Sequence, residues 1–141
     1  MRFLILNGPN LNLLGTREPE TYGSQNVEDM LAELRMAFPK HQLDYAQSNV
    51  EGELINHLHA HGFESDGIVF NAGGYTHTSV AIGDAVKAIS SPVVEVHISQ
   101  IYAREDFRHV SHIGPHCVAS ISGMGMYGYR AALQFLIDSA R

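Results

Sequence analysis

Near its N-terminus the chain reads Phe3-Leu4-Ile5-Leu6-Asn7-Gly8-Pro9-Asn10. The first four residues form a short apolar run that is typical of a buried β-strand, and the polar residues after it mark the end of that strand. In open α/β sheets, ligands bind outside the carboxyl ends of the strands. The following segment is long for a loop in a compact domain and carries Arg17 and Tyr22. We therefore interpret residues 8–24 as a lid loop over a ligand site.

Four further segments share the character of the first one. They are short and contain β-branched residues, and helical patterns separate them. The predicted strands are residues 3–6, 43–46, 67–70, 93–96 and 118–121, and the predicted helices are residues 27–38, 51–61, 78–89 and 129–137. This alternation predicts an α/β fold, namely a flavodoxin-like, doubly wound, five-stranded parallel sheet of order 2-1-3-4-5 within three α/β/α layers.

The composition fits one globular catalytic domain over residues 1–141. Of the 141 residues, 45% are hydrophobic and 17% are charged, which suits a single core. No apolar run is long enough to span a membrane, and the N-terminal run is too short for a signal peptide. The formal net charge of −6 argues against nucleic acid or a membrane surface as a partner. A single cysteine excludes an internal disulfide and indicates a cytoplasmic location.

Three features argue against other kinds of chemistry. A Schiff base needs a lysine in the site, and Lys40 and Lys87 are the only lysines, neither at a predicted strand end. His57 and His61 have the spacing of a metal-binding pair but lack a third ligand, so we expect no metal. Cys117 and its neighbouring histidine resemble a catalytic nucleophile and its base. Adjacent residues of an extended segment point to opposite faces, however, so the two side chains would not meet. We expect Cys117 to pack in the core.

Polar residues follow all five predicted strands. They are Asn7, Gln47-Ser48-Asn49, Asn71, His97 and Ser122-Gly123. Because the carboxyl ends of parallel strands meet along one edge of the sheet, these side chains should lie close together. Strand ends are often polar simply because they are solvated, but a polar group at every position favours a binding site.

The predicted lid carries an arginine and a tyrosine five positions apart, Arg17 and Tyr22. A free tyrosine has a pKa of about 10, which is too high for a base at neutral pH. A guanidinium nearby favours the phenolate and keeps its own charge. The pair can therefore supply a base, although an exposed arginine and a packing tyrosine would be the plainer interpretation.

The fourth predicted strand is followed by His97, and Glu95 precedes that histidine by two positions on the same strand face. A carboxylate beside an imidazole favours its protonated form, which can act as a general acid. The backbone amides of Ile98 and Ser99 can hold an anion in the manner of a nest. The plainer interpretation is a core histidine whose hydrogen bond is satisfied by Glu95.

Further groups suited to binding a substrate follow strands 3 and 4. Asn71 and His77 flank a glycine-rich turn, where a backbone can approach a ligand closely, and are suited to binding hydroxyl groups. Arg104 and Arg108 are four positions apart and would share one face if this segment is helical, and one of them could clamp a carboxylate through paired hydrogen bonds. A surface ladder of salt bridges is the plainer interpretation, above all for Arg104. Together, a base, an acid, hydroxyl binders and a carboxylate clamp suit the loss of water beside a carbonyl group.

Several blocks of sequence carry a resemblance that covers almost the whole chain. They are Asn7-Gly8-Pro9-Asn10-Leu11-Asn12, Arg17-Glu18-Pro19, Tyr22-Gly23, Gln47-Ser48-Asn49-Val50-Glu51-Gly52-Glu53, Tyr75-Thr76-His77-Thr78-Ser79, Val94-Glu95-Val96-His97 and Ala103-Arg104-Glu105-Asp106-Phe107-Arg108. In this order the blocks resemble the type II 3-dehydroquinate dehydratases of the shikimate pathway. The resemblance implies a hydro-lyase of chorismate and aromatic amino acid biosynthesis. It would remove water from 3-dehydroquinate by anti elimination through an enolate, giving 3-dehydroshikimate.

The same resemblance implies catalytic roles. Tyr22 is similar to the base of that family, and Arg17 is similar to its activator. His97 resembles the proton donor, with Glu95 orienting it. Asn10 would hold the water that stabilises the enolate.

The resemblance also implies the binding groups and the assembly. The implied substrate-binding residues are Asn71, His77, Ile98, Ser99 and Arg108. Asp84 would reach in from a neighbouring subunit, since the family forms trimers that assemble into dodecamers. The resemblance implies neither a cofactor nor a metal. Four positions depart from the usual pattern of the family, and none is a proposed catalytic group. This chain has Ala72 where proline is frequent, Gly83 where arginine is frequent, Gln100 where asparagine is frequent and Tyr102 where histidine is frequent.

A flavodoxin-like nucleotide or receiver domain is the main alternative. A receiver domain would carry acidic residues after strand 1 and a lysine after strand 5, where this chain has Asn7 and Ser122. A loop that binds flavin mononucleotide would offer successive backbone amides, and Pro9 removes one of them. An inactive structural oligomer is disfavoured because every proposed catalytic position is filled.

Overall fold

The computed structural model describes residues 1–16 and 25–140. Its five strands form one parallel sheet in the order β2-β1-β3-β4-β5. The strands are β1 (Arg2–Asn7), β2 (Gln42–Gln47), β3 (Gly67–Asn71), β4 (Val93–His97) and β5 (Ala119–Ser122). The predicted fold class and strand order are confirmed.

In residues 1–16 and 25–140, four α-helices cover the two faces of the sheet. They are α1 (Val27–Ala37), α2 (Glu51–His61), α3 (Val80–Ala88) and α4 (Tyr127–Ser139). Successive residues of a strand point to opposite faces, so β1 contributes to two cores. Phe3 and Ile5 pack with residues of α1 and α4, whereas Leu4 and Leu6 pack with residues of α2 and α3.

The third helix begins two residues later than the sequence predicts. Residues Gly73–His77 form a 3-10 helix of their own after β3. The α-helix then starts at Val80 because the Ser79 side chain accepts a hydrogen bond from the backbone N–H of Ile82, at 3.0 Å. Such a cap satisfies one of the unpaired amides at a helix N-terminus. The glycine-rich turn therefore stays outside the helix and is free to shape the edge of the sheet.

The loops after β1 and β3 approach each other closely at Gly8. Its backbone N–H donates to the carbonyl of Asn71 at 2.7 Å, and a Cβ atom at this position would lie 2.5 Å from the carbonyl oxygen of Ala72. No side chain fits there without a shift of backbone. This contact brings the carboxyl ends of the two strands together.

Gly8→Ala is expected to lower the free energy of unfolding by about 1–3 kcal/mol, the usual cost of overpacking. Gly52→Ala is the matched control, because a Cβ at Gly52 in α2 meets nothing within 4 Å and alanine favours a helix. Urea denaturation of both variants checks the prediction. Equal stability of Gly8→Ala and the wild type would contradict it.

Candidate active site

The carboxyl ends of the strands bring the predicted polar residues to one edge of the sheet. In the strand register, Asn7 of β1 lies beside Gln47 of β2 and Asn71 of β3. At the other side of the sheet, His97 of β4 lies beside Ser122 of β5. Asn7, Asn71 and His97 are all buried. The clustering predicted from the sequence is therefore confirmed.

A cavity of about 150 Å³ opens at this edge. Its walls come from the segments that follow β1, β3 and β4. Most of the predicted site residues line it, namely Asn10, Asn71, His77, His97, Ile98, Ser99 and Arg108. Neither of the two lysines is among its lining residues. The described walls therefore offer amides, imidazoles and guanidiniums but no primary amine.

Of the other four predicted residues, the structure describes two, Glu95 and Asp84, and neither lines this cavity. Glu95 is buried behind His97. Asp84 is exposed on α3, away from the cavity of its own chain. Arg17 and Tyr22, with much of the predicted lid loop, lie outside the described residues.

His97 and Glu95 form a buried pair at the end of β4. His97 Nε2 lies 3.1 Å from Glu95 Oε1, and the two side chains are 6% and 3% exposed. Within the described part of the chain, Nε2 has no hydrogen bond of good geometry, so the two groups are in contact without an aligned hydrogen bond. His97 also lines the cavity, so its ring is within reach of a ligand.

The Glu95 carboxylate is held by two serine hydroxyls as well as by the histidine. Ser111 donates to Oε1, and Ser120 donates to Oε2 at 2.9 Å. Burial acts to raise the pKa of Glu95, but the contact with His97 and the hydrogen bonds from Ser111 and Ser120 outweigh it and lower the pKa overall. Glu95 is therefore ionised at neutral pH.

His77 is held in one tautomer beside His97. Its Nδ1 lies 2.7 Å from the carbonyl oxygen of Val110, so Nδ1 carries the proton and donates it. Burial is the main factor that lowers the pKa of His77, and the nearby charges of His97 and Arg108 lower it further. The ring is therefore neutral at pH 7 and its Nε2 is a hydrogen-bond acceptor. The two imidazoles stack, with centroids 5.9 Å apart.

Asn71 is held by a buried network beneath the cavity. Its Nδ2 donates to the hydroxyl of Tyr129 at 3.0 Å, and its Oδ1 accepts from the backbone N–H of Gly73 at 3.1 Å. The Tyr129 hydroxyl in turn donates to Asn7 Oδ1 at 2.7 Å. These bonds fix which end of the Asn71 amide is the donor. Only the second amide hydrogen and the second lone pair of that oxygen remain for a ligand.

The two tyrosines of this network are poor candidates for a base. Burial raises the pKa of Tyr129, which is completely enclosed. Burial also raises the pKa of Tyr45, whose hydroxyl accepts from Asn7 Nδ2 at 3.4 Å. Both hydroxyls therefore keep their protons at neutral pH.

The two predicted arginines both line the cavity, but not as one helical face. The segment forms two separate 3-10 turns, Ile101–Ala103 and Asp106–His109, so the condition of an α-helix for Arg104 and Arg108 is not met. Three-residue turns cannot place side chains four positions apart on a common face as an α-helix does. The loop instead bends so that both guanidiniums reach the same cavity.

The contacts of the two arginines differ. Arg108 pairs with Glu105, and its guanidinium lies 4.9 Å from the centre of the Phe107 ring. Arg104 donates from Nη1 to Ser99 Oγ at 3.2 Å. Arg104 therefore reaches the cavity wall. Two cations at one wall suit an anionic ligand such as a carboxylate.

Two motifs that resemble reactive sites in the sequence lie away from this cavity. They are the histidine pair of α2 and Cys117 with its neighbouring histidine. His57 and His61 are neighbours on α2, with ring centroids 6.4 Å apart. The described residues include no group of three or more side chains arranged to hold a metal ion. Cys117 packs against the core, and burial raises its thiol pKa to about 12. No helix in the described ranges is long and apolar enough to cross a membrane.

Comparison with known proteins agrees with the site. The family model described as "Dehydroquinase class II" matches residues 1–137. The chain is 51% identical over 142 aligned residues to a 3-dehydroquinate dehydratase of an Exiguobacterium species, covering 100% of this chain and 97% of the relative. It is 55% identical over 136 residues to the protein of the same name from Nitrobacter winogradskyi, covering 94% of this chain and 86% of the relative.

Solved structures agree with the sequence relatives. The type II dehydroquinase from Butyrivibrio crossotus superposes with a TM-score of 0.93 at 41% identity and covers 97% of each chain. The type II dehydroquinase from Propionibacterium acnes superposes with a TM-score of 0.90 at 36% identity, covering 96% of this chain and 94% of the other. Taken with the match to the family model, these likenesses show that the chain belongs to the class II dehydroquinases, a family of hydro-lyases.

Proposed function

We propose that this protein is a 3-dehydroquinate dehydratase that forms 3-dehydroshikimate by anti elimination of water through an enolate. The family assignment and the names of its relatives support the substrate. The observation that carries the chemistry is the buried pair of His97 and Glu95 at the wall of a cavity that also holds two arginines. Such a cavity combines a proton donor with cations that can hold a carboxylate.

The proposed acid is His97. It donates a proton to the departing hydroxyl, so that the C–O bond breaks and the group leaves as water. Glu95 lies 3.1 Å from the ring, where its negative charge stabilises the imidazolium and fixes the orientation of the ring. Because the pKa of Glu95 is lowered, the carboxylate keeps this charge at the pH of the reaction.

The proposed base is Tyr22, activated by Arg17. Both residues lie outside the described ranges, and support for the base comes from the sequence resemblance. The structure supplies a contrast, since burial raises the pKa of both Tyr45 and Tyr129 near the cavity. As a phenolate, Tyr22 would take the proton from the α-carbon, and the electrons of that C–H bond would form the enolate. Arg17 would favour the phenolate by its charge.

The remaining groups of the cavity bind the substrate in this proposal. Asn10 holds a water that stabilises the enolate oxygen. Arg108 and the backbone of Ile98 and Ser99 bind the carboxylate. His77 accepts a hydrogen bond from a substrate hydroxyl through Nε2. Asn71 binds a hydroxyl with the amide hydrogen and the oxygen lone pair that its buried network does not use. These residues all line the same cavity.

We further propose that residues 1–141 act as one catalytic domain in trimers that assemble into dodecamers. The exposed position of Asp84 on α3 supports this, because the carboxylate is free to reach the cavity of a neighbouring subunit. Gly83, beside it, lets the backbone at His112 approach closely, since a Cβ there would lie 2.4 Å from the His112 carbonyl oxygen. The proposed mechanism uses neither a cofactor nor a metal.

The proposed activity is tested by incubating the protein with 3-dehydroquinate and following the ultraviolet absorption of the conjugated product. We expect turnover, and we expect treatment with borohydride to leave the rate unchanged, because no imine forms and neither Lys40 nor Lys87 lines the cavity. Absence of product would overturn the assigned activity. Inactivation by borohydride in the presence of substrate would overturn the enolate mechanism in favour of a Schiff base.

A further inference from the structure

Asn10 has a strained backbone conformation at the wall of the cavity. With φ 69° and ψ −6°, it is the one residue other than glycine with a positive φ in the described ranges. This left-handed conformation is uncommon for residues other than glycine, although asparagine adopts it more readily than most, and surrounding contacts help to hold it. Because the proposed function assigns the enolate water to Asn10, the contacts that enforce its conformation bear on catalysis.

The contact that holds Asn10 comes from the loop after β2. The backbone N–H of Asn10 donates to Asn49 Oδ1 at 3.0 Å. Asn49 itself does not line the cavity. This side chain therefore connects two loops without being placed to touch a ligand.

Asn49 is held in turn by two neighbours. Gln47 donates from Nε2 to Asn49 Oδ1 and to the carbonyl oxygen of Gly8, both at 3.1 Å. The hydroxyl of Tyr75 donates to the backbone carbonyl of Asn49 at 2.9 Å. The Asn49 oxygen thus receives two hydrogen bonds, which identifies it as the oxygen end of the amide. The loops after β1, β2 and β3 all meet at this residue.

We propose that Asn49 is a positioning residue of the enzyme, whose side-chain oxygen holds Asn10 in the conformation that presents it to the cavity. The inference rests on the proposed function, which gives Asn10 its role at the enolate. It accounts for the polar segment Gln47-Ser48-Asn49, which contributes no group to the cavity wall. Loss of the oxygen would let Asn10 relax toward more favourable backbone conformations, with the cavity otherwise intact.

Two substitutions at Asn49 separate the role of the oxygen from that of the side-chain volume. Asn49→Leu removes the acceptor at similar size, and Asn49→Asp keeps it. We expect kcat of Asn49→Leu to fall about tenfold, the order expected for the loss of one hydrogen bond that supports the transition state, with KM changed by less than about threefold. Asn49→Asp should recover most of kcat. Asn56→Leu makes the same replacement at an exposed asparagine of α2. It is the control for the general effect of replacing asparagine with leucine, and its kcat should equal that of the wild type.

Amide hydrogen exchange at Asn10, read by NMR on the whole protein, tests the contact independently of turnover. Exchange should be faster in Asn49→Leu than in the wild type, and Asn49→Asp should retain protection. If Asn49→Leu does not fold, Asn49→Ala is measured in the same way. An inactive wild type would refute the proposed function, whereas the exchange data would still decide whether Asn49 holds Asn10. Unchanged exchange at Asn10, or wild-type kcat per folded molecule in Asn49→Leu, would overturn the inference.

Discussion

His97→Ala should reduce kcat for 3-dehydroquinate by about a thousandfold, within the range that general acid catalysis contributes. The hydroxyl that leaves is a poor leaving group unless it is protonated, and His97 is the buried imidazole paired with an ionised carboxylate at the cavity wall. His77 cannot readily replace it, because its pKa is lowered and its protonated Nδ1 is committed to Val110. Steady-state kinetics with the purified variant measures the effect.

A second histidine supplies the control for that measurement. His59 is exposed on α2, away from the cavity, so His59→Ala should leave kcat and KM unchanged. The substrate should still bind to His97→Ala, because the arginines and the hydroxyl-binding groups remain. A rate for His97→Ala close to that of the wild type would remove His97 as the acid.

Tyr22→Phe should also abolish turnover, with kcat reduced by about a thousandfold and substrate binding largely kept. Phenylalanine retains the ring but has no oxygen to accept the α-proton, so the enolate cannot form. Neither buried tyrosine can substitute, because burial raises the pKa of both Tyr45 and Tyr129. Kinetics together with calorimetric measurement of substrate binding checks both parts of the prediction.

Tyr127→Phe is the matched control, since Tyr127 is 59% exposed and does not line the cavity. Its kcat should equal that of the wild type. If Tyr22→Phe turned over at a rate within tenfold of the wild type, the base would have to be another group, and the assignment of Tyr22 would be wrong.

The fold was predictable because its signals are local and repeated. Each apolar strand segment lies within one residue of the observed strand at either end, since each segment is a short apolar run that ends at polar residues. The three inner strands are also buried on both faces. The start of α3 was less predictable, because Thr76, Thr78 and Ser79 are all possible caps. Only the hydrogen bond from Ile82 N–H to Ser79 distinguishes them.

Parts of the site depend on tertiary contacts that spacing does not reveal. The pairing of Glu95 with His97 follows from their i,i+2 positions on one strand, and its geometry was predictable. Ser120 could have been found from the strand register, which pairs it with Glu95. Ser111 and Tyr129 approach the site from distant parts of the chain and carry no local signal.

In the proposed mechanism, proton removal and hydroxyl departure are separate steps, performed by Tyr22 and His97. Proton NMR of 3-dehydroquinate in D₂O with each variant tests it most directly, against a sample without enzyme. His97→Ala is expected to exchange the α-proton for deuterium but to form almost no product, because the enolate forms and is then deuterated back to 3-dehydroquinate. Tyr22→Phe is expected to do neither. Exchange by Tyr22→Phe at the wild-type rate, or rapid product formation by His97→Ala, would contradict the proposed mechanism.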